Sequence, residues 1–319
     1  MFILRDDRPV ILLTGASGFV GRNIAPVLAA NNMTVRRAIR KRTLEPNTVV
    51  IDTIGPTTIW DEALRGVSAV VHLAGRAHQP QEEHEAELYR SLNTEGTLHL
   101  AQAAAKAGVR KFIFLSTILV NGSNTDNGAP FRENDQSNPR GVYGVSKAEA
   151  EIGLEQVSKQ SDMSITVIRP PLIYGPGVLG NFKTLLAALR RGIPLPFGSI
   201  HNRRAFLAVE NLSSFIVDRL NHTGDKFEVF LVADEEQVST PEFVRKIGKA
   251  LGKKVRILPF PLFALKALFQ LIGRPEAYNS VAGSLEVDIS KALQTGWRPQ
   301  VSLDEGLRNA LWKTAVEKP

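Results

Sequence analysis

The chain has 319 residues, 43% of them hydrophobic and 22% charged, which is the composition of an ordinary globular protein with room for one large or two modest domains. It contains no cysteine, so disulfides, thiolate metal sites and thiolate nucleophiles are excluded, and no apolar run approaches the ~20 residues that span a bilayer. Its 39 basic and 32 acidic residues leave a net charge of +7, which suits anionic ligands, but basic and aromatic residues are not interleaved as on a nucleic-acid surface. The opening MFILRDDRPV is too quickly charged for a signal peptide, so a cytoplasmic protein with no nucleic-acid, membrane or metal partner is expected.

VILLTG (10–15) reads as a buried strand ending in glycine, and GRNIAPVLAANN (21–32) follows as a helix. VRRAIR (35–40) is the second strand, followed by WDEALRG (60–66), the apolar SAVVHLAG (68–75) and one long helix over 87–108. KFIFLST (111–117) and SITVIRPP (164–171) are further apolar strands, with the helical pattern YGVSKAEAEIGLEQV between them. Strands that are apolar throughout and alternate with helices predict an α/β fold, a Rossmann-type doubly wound parallel sheet. From about residue 175 the chain turns rich in Pro, Gly and Arg, which reads as a smaller α/β region on the C-terminal side. PLFALKALFQLIG (261–273) is apolar, but its length and its interior Lys266 predict a packed helix.

TGASGFVG places Gly15, Gly18 and Gly21 between the first strand and the first helix. Glycines there let the backbone turn sharply and approach a pyrophosphate, which the helix N-terminus stabilises. Gly15, Ser17, Gly18, Phe19, Val20 and Gly21 are therefore the candidate dinucleotide-binding turn. About twenty residues on, where an NAD site supplies Asp or Glu to the ribose, TVRRAIRKRT has no acid; Ile39 is followed by Arg40, Lys41 and Arg42. Arg40 and Lys41 are candidates for a 2′-phosphate, favouring NADP(H), with NAD(H) left open.

Tyr143 and Lys147 lie one helical turn apart on one face, and a lysine cation beside a phenol lowers its pKa for general acid–base work. Ser116 and Thr117 end a predicted strand, where ligands of parallel sheets bind.

In that order, TGASGFVG, VVHLAG, LNTEGT, LSTILVNG, YGVSK, RPPLIYGPG and AFLAVENL resemble the extended short-chain dehydrogenase/reductases, and among them the NAD-dependent epimerase/dehydratase family that includes UDP-glucose 4-epimerases. The resemblance implies a catalytic triad of Thr117, Tyr143 and Lys147, with Asn93 beside it and Lys147 also on the nicotinamide ribose. It places Leu73, Ala74 and Gly75 near the adenosine and pyrophosphate, with His72 a packed strand residue. It lays Arg169, Pro170, Pro171 and Leu172 along the nicotinamide. For a UDP-sugar it implies Asn181 on a phosphate, the backbone of Leu195 and Phe197 on uracil, and Arg204 on the diphosphate. Arg203, Arg274, Ser284 and Leu285 are looser matches. A dinucleotide-binding domain over 1–175, with 203–235 returning to it, and a nucleotide-sugar domain over 176–319 follow, as does a homodimer through the helices at 87–108 and 143–158.

Dehydratases of the family carry an acid and a base directly after the strand-end threonine; here Ile118 and Leu119 stand there, and neither moves a proton. Hydride chemistry at sugar C4 remains. The pattern most resembles bacterial reductases of UDP-4-keto-6-deoxy-N-acetylhexosamines in surface-polysaccharide synthesis; a UDP-sugar 4-epimerase with retained NAD is the alternative, and a non-catalytic NADP sensor a more distant one.

Overall fold

The computed structural model describes residues 8–76, 85–126, 128–178, 180–222, 224–273 and 275–316. Its strands are β1 (Val10–Thr14), β2 (Thr34–Ile39), β3 (Thr48–Val50), β4 (Ala69–His72), β5 (Lys111–Leu115), β6 (Ser164–Arg169), β7 (Leu172–Tyr174), β8 (Phe206–Ala208) and β9 (Phe227–Leu231). Helices α1 (Phe19–Ala30), α2 (Asp61–Leu64), α3 (Ala86–Tyr89), α4 (Gly96–Lys106), α5 (Gly141–Lys159) and α6 (Asn181–Arg190) come first. Then follow α7 (Val209–Asn221), α8 (Thr240–Ala250), α9 (Leu262–Leu271), α10 (Pro275–Ala282), α11 (Ser290–Gln294) and α12 (Leu303–Val316). The chain divides into two compact units, one of residues 1–120, 140–169 and 213–230, the other of 121–139, 170–212 and 231–319.

The first unit carries a seven-stranded sheet in the order β3-β2-β1-β4-β5-β6-β9, the Rossmann-type arrangement expected. From β3 to β6 every neighbouring pair is parallel. Leu12, Val70, Phe112, Phe114 and Val167 turn one face of the sheet towards Leu100, Ala101 and Ala104 of α4 and Ala150 and Leu154 of α5. The alanines keep these helices slim enough to lie close to the strands. Ile11 and Leu13 are equally buried and, by strand alternation, point to the opposite face, so both faces are covered. The order reverses at β1, which pairs β2 on one side and β4 on the other, opening a crevice beyond their carboxyl ends.

The helix expected as one piece over 87–108 is interrupted. Arg90–Glu95 forms a π-helical turn between α3 and α4, a widening that is common at functional sites, and it carries Asn93.

Two buried polar centres tie the strands to the helices. His72 at the end of β4 hydrogen-bonds the Thr14 hydroxyl through Nδ1 (2.7 Å) and the Thr97 hydroxyl through Nε2 (2.9 Å). Burial, reinforced by nearby Lys147, drives its pKa down to about 3, so it is a neutral packing residue. Glu151 of α5 accepts from Nε of Arg169 (3.0 and 3.1 Å) and from Nη2 (2.5 Å), and the Ser116 hydroxyl donates to the same carboxylate. Only 7% of the Arg169 side chain and 6% of Glu151 is exposed, so each charge depends on the other.

The second unit has its own core, in which Phe206 of β8 stacks on Phe243 of α8 at 3.8 Å beside Tyr174, Phe182, Leu303 and Leu307. Its buried Asp234 accepts from the Tyr174 hydroxyl (2.8 Å), the Ala208 N–H (2.9 Å) and Asn211 Nδ2 (2.7 Å), and burial lifts its carboxyl to about 6. Residues 121–139, assigned to the first domain from sequence, cluster with this unit.

One expectation is corrected here. The segment 261–273 is helical as α9, but it is packed along one face only: Leu265 is buried and Phe269 half-buried, while Phe263 is 79% and Leu271 86% exposed.

Glu151→Gln, which strands the Arg169 cation in the core, should cost about 3–5 kcal/mol of the first unit's stability in urea denaturation, with the double variant Glu151→Leu/Arg169→Met recovering part of it. A loss below about 1 kcal/mol for the single variant would show the pair to be solvated rather than buried.

Candidate active site

Beyond the carboxyl ends of β1 and β4 lies a cleft of about 350 Å³ lined by Gly15, Ser17, Gly18, Ala38, Ile39, Arg40, Ile51, Thr53, Ile54, Leu73, Ala74, Gly75, Arg76 and Leu92. Backbone packing explains its glycines. Gly15 has φ +68°, and a Cβ there would meet the Ala74 N at 2.8 Å; one on Gly21 would meet the Gly15 carbonyl oxygen at 2.2 Å. Gly18 caps α1, so the unpaired N–H groups of the first helical turn, at Phe19, Val20 and Gly21, open at the cleft end. No acid occupies the first turn to compete for them. A pyrophosphate fits this cradle, with its negative charge at the positive end of the helix dipole.

The five cations of TVRRAIRKRT have separate fates. Arg36 donates to the carbonyls of Ala63 (2.9 Å) and Arg65 (2.7 Å) at the end of α2, and Arg37 pairs with Glu45. Lys41 and Arg42 are exposed and do not line the cleft; Arg40, also exposed, forms part of its wall.

Asn93, fully buried, holds the loop after β4. Its Oδ1 accepts from the Arg76 N–H (2.8 Å), and its Nδ2 donates to the Arg76 carbonyl and the Ser146 hydroxyl (3.1 Å each). Lys147 reaches back along the same region. Its ammonium donates to the Leu115 carbonyl (2.9 Å), lies 4.3 Å from the Phe114 ring centroid, and would be 3.4 Å from a Cβ on Gly75. Thr117 is buried and leads into a short 3₁₀ turn, Ile118–Val120. That turn lies directly on α5, because Gly144 leaves only 3.1 Å between a would-be Cβ and the Leu119 carbonyl. Thr117, Tyr143, Lys147 and Asn93 thus come from elements packed on one another.

The electrostatics reverse one expectation. Tyr143 is not lowered: burial, with Tyr89 next (ring centroids 6.4 Å apart), pushes its phenol up to about 12. Burial also depresses Lys147 to about 7, against the pull of Glu151 one turn further along α5. The phenol is therefore a proton donor at neutral pH, and the amine is poised to change charge there.

In the second unit, Pro170 is buried and Leu172 exposed. Asn181 opens α6, but its side chain, like Arg274, lies outside what is described. Both main-chain groups of Leu195 are engaged, its N–H by the Arg256 carbonyl (2.9 Å) and its carbonyl by the Leu258 N–H (2.8 Å). The carbonyl of Leu195 keeps a second lone pair, and the N–H of Phe197, the other residue expected at uracil, has no hydrogen-bond partner among the described residues. Arg204 donates through Nη1 to the Gly283 carbonyl (2.6 Å), burial lowers it to about 10, and Asp126 opposes that shift. Arg203 is paired with Glu286 at 3.0 Å. Ser284 accepts through its carbonyl from Thr125, and Leu285 bridges Arg204.

Residues 11–233 match the description "NAD dependent epimerase/dehydratase family". The chain belongs to that family. It is 40% identical over 306 residues to a UDP-glucose 4-epimerase of Vibrio cholerae, covering 93% of each chain. Two solved structures share the fold: a UDP-N-acetylglucosamine 4-epimerase of Methanobrevibacter ruminantium M1 (TM-score 0.80, 19% identity, 98% and 99% covered) and RMD of Pseudomonas aeruginosa with NADPH (TM-score 0.75, 23% identity, 96% and 99% covered). The protein is accordingly an NAD(P)-binding enzyme of the epimerase and reductase type with the extended short-chain dehydrogenase/reductase fold.

Sequence reading missed several residues of the cleft. Ile51, Thr53 and Ile54 follow β3, a strand of three residues too short for a periodic signal. Arg76 and Leu92 had a usable signal, since they adjoin Gly75 and Asn93.

The depressed lysine gives a stability prediction. Below pH about 7 Lys147 is charged folded and unfolded and carries the full burial cost; from about 7 to the ordinary 10.5 only the unfolded state is charged, and the cost fades as pH rises. Nucleotide-free Lys147→Met should melt ~2–4 °C or more above the parent at pH 7, with the gain vanishing towards pH 10.5. An unchanged or lower midpoint at pH 7 would mean the amine is solvated.

Proposed function

We propose that the protein is an NADPH-dependent oxidoreductase acting at C4 of a UDP-linked sugar, reducing a UDP-4-keto-6-deoxy-N-acetylhexosamine. The observation that carries this is Arg40 in the cleft wall at the end of β2, with no carboxylate on that strand end. A guanidinium there offers a fork of donors to a 2′-phosphate, and a carboxylate would repel one. NADPH, when bound, supplies the hydride.

The protein's own groups do the rest. The Thr117 hydroxyl holds the sugar C4 oxygen, and Tyr143, protonated up to about pH 12, gives that oxygen its proton. Lys147 binds the nicotinamide ribose and, while charged, stabilises the tyrosinate left behind. Asn93 positions the loop of Gly75. Pro170 and Leu172 line the nicotinamide, and Asn181, Phe197 and Arg204 take the UDP. Ile118 and Leu119 offer no acid or base, so elimination of water is not part of the reaction. A homodimer through α4 and α5 belongs to this reading, which is supported by Val145 (41%) and Ile152 (65%), exposed two turns apart on α5.

A UDP-sugar 4-epimerase with retained NAD is the second reading, favoured by the 40% identity to the Vibrio cholerae 4-epimerase.

The test is to purify the protein without added nucleotide, denature it and identify what is released. An empty protein that then binds NADPH about tenfold or more tighter than NADH, with the preference lost in Arg40→Ala, is expected. NADPH oxidation with a UDP-4-keto sugar should fall ~100-fold or more in Tyr143→Phe. Near-stoichiometric NAD in the purified protein would replace the reductase with the epimerase.

A further inference from the structure

Helix α9 is divided into three stripes by the 3.6-residue period. Leu265, 1% exposed, and the half-buried Phe269, whose ring is 6.4 Å from Tyr278 of α10, face the second unit's interior. Lys266 and Gln270 form a polar stripe beside them. Phe263, Ala267 and Leu271, with Leu268 flanking, form a third stripe that is apolar and faces outwards: Phe263 is 79%, Leu271 86% and Leu268 41% exposed. Leu258 before the helix (51%) and Ile272 after it (56%) continue the same character. Scattered exposed leucines are ordinary, but a contiguous stripe of large apolar side chains marks a surface that something covers.

Charge indicates what covers it. From Phe243 to Pro275 the sequence has no Asp or Glu, and every charged residue is Lys or Arg. Lys246 is engaged by Glu236 and Asp304, but Lys253, Lys254, Arg256 and Lys266 are exposed and form no ion pair with a described residue. A second copy in two-fold contact would bring this cationic run against itself. An anionic lipid surface matches both features, taking the aromatic and leucine side chains at the acyl boundary and the cations among the phosphates.

We propose that the acid-free segment 253–273 docks the protein on anionic membranes, with α9 lying in the plane of the interface and Phe263 and Leu271 inserted. Spanning is excluded for α9 by length, since ten residues rise about 15 Å against a hydrocarbon core of about 30 Å. No helix among the described residues is long and apolar enough to cross. The inference stands apart from the reductase reading and uses none of its residues.

The test is co-sedimentation of the full chain with vesicles of equal parts phosphatidylglycerol and phosphatidylcholine, and with vesicles of phosphatidylcholine alone. Binding to the anionic vesicles is expected, weakened by salt and much lower on the zwitterionic ones. Phe263→Ser/Leu271→Ser should weaken it about tenfold or more without lowering the thermal midpoint. No binding by the parent protein, or equal binding by the double variant, would overturn the proposal. So would a dimer in sedimentation velocity that the double variant dissociates while neither form binds vesicles, because a second copy would then be the partner.

Discussion

Glu151 is the charge on which the first unit depends. A carboxylate that deep in a protein is tolerated only with its partners in place, and here three elements meet on it: Arg169 from the end of β6, Ser116 from the end of β5, and its own helix α5. The same carboxylate offsets part of the burial cost of Lys147, one turn back on α5. Strand ends, helix and Lys147 are thus placed by one electrostatic centre. Thr117 follows directly, because it is the next residue after Ser116 and its turn is pressed against Gly144.

The cleft beyond β1 and β4 comes from a different physical cause, the closeness of backbone to backbone. Gly15 and Gly21 exist because any Cβ would strike Ala74 or the Gly15 carbonyl, and this contact leaves the N-terminus of α1 open towards a ligand rather than blocked by side chains. Asn93 then fixes the opposite wall through both main-chain groups of Arg76. Asn93 lies within the π-helical turn and is fully buried there.

Burial also sets the direction of proton traffic. A phenol raised to about 12 and an amine lowered to about 7 both record a desolvated site, in which neutral forms are favoured over ions. Such a site holds the proton on the tyrosine at neutral pH. Keeping an amine in that environment costs stability, as is usual where polar groups are buried for chemistry.

The sequence by itself determined the parallel sheet, through strands apolar on both faces, and it marked the glycine turn, Tyr143, Lys147 and Thr117 as candidates by residue type and spacing. Only the tertiary structure could sort the basic decapeptide, because Arg36, Arg37 and Arg40 look alike until α2, Glu45 and the cleft are brought against them. The sign of the Tyr143 shift belongs there too: adjacency to a lysine predicts a lowered pKa, but desolvation depends on everything else packed around the ring. The same holds for α9, where an apolar helix reads identically whether its outer stripe meets a core or is left open. Periodicity encodes which residues share a face; what that face meets is settled by contacts distant in the chain.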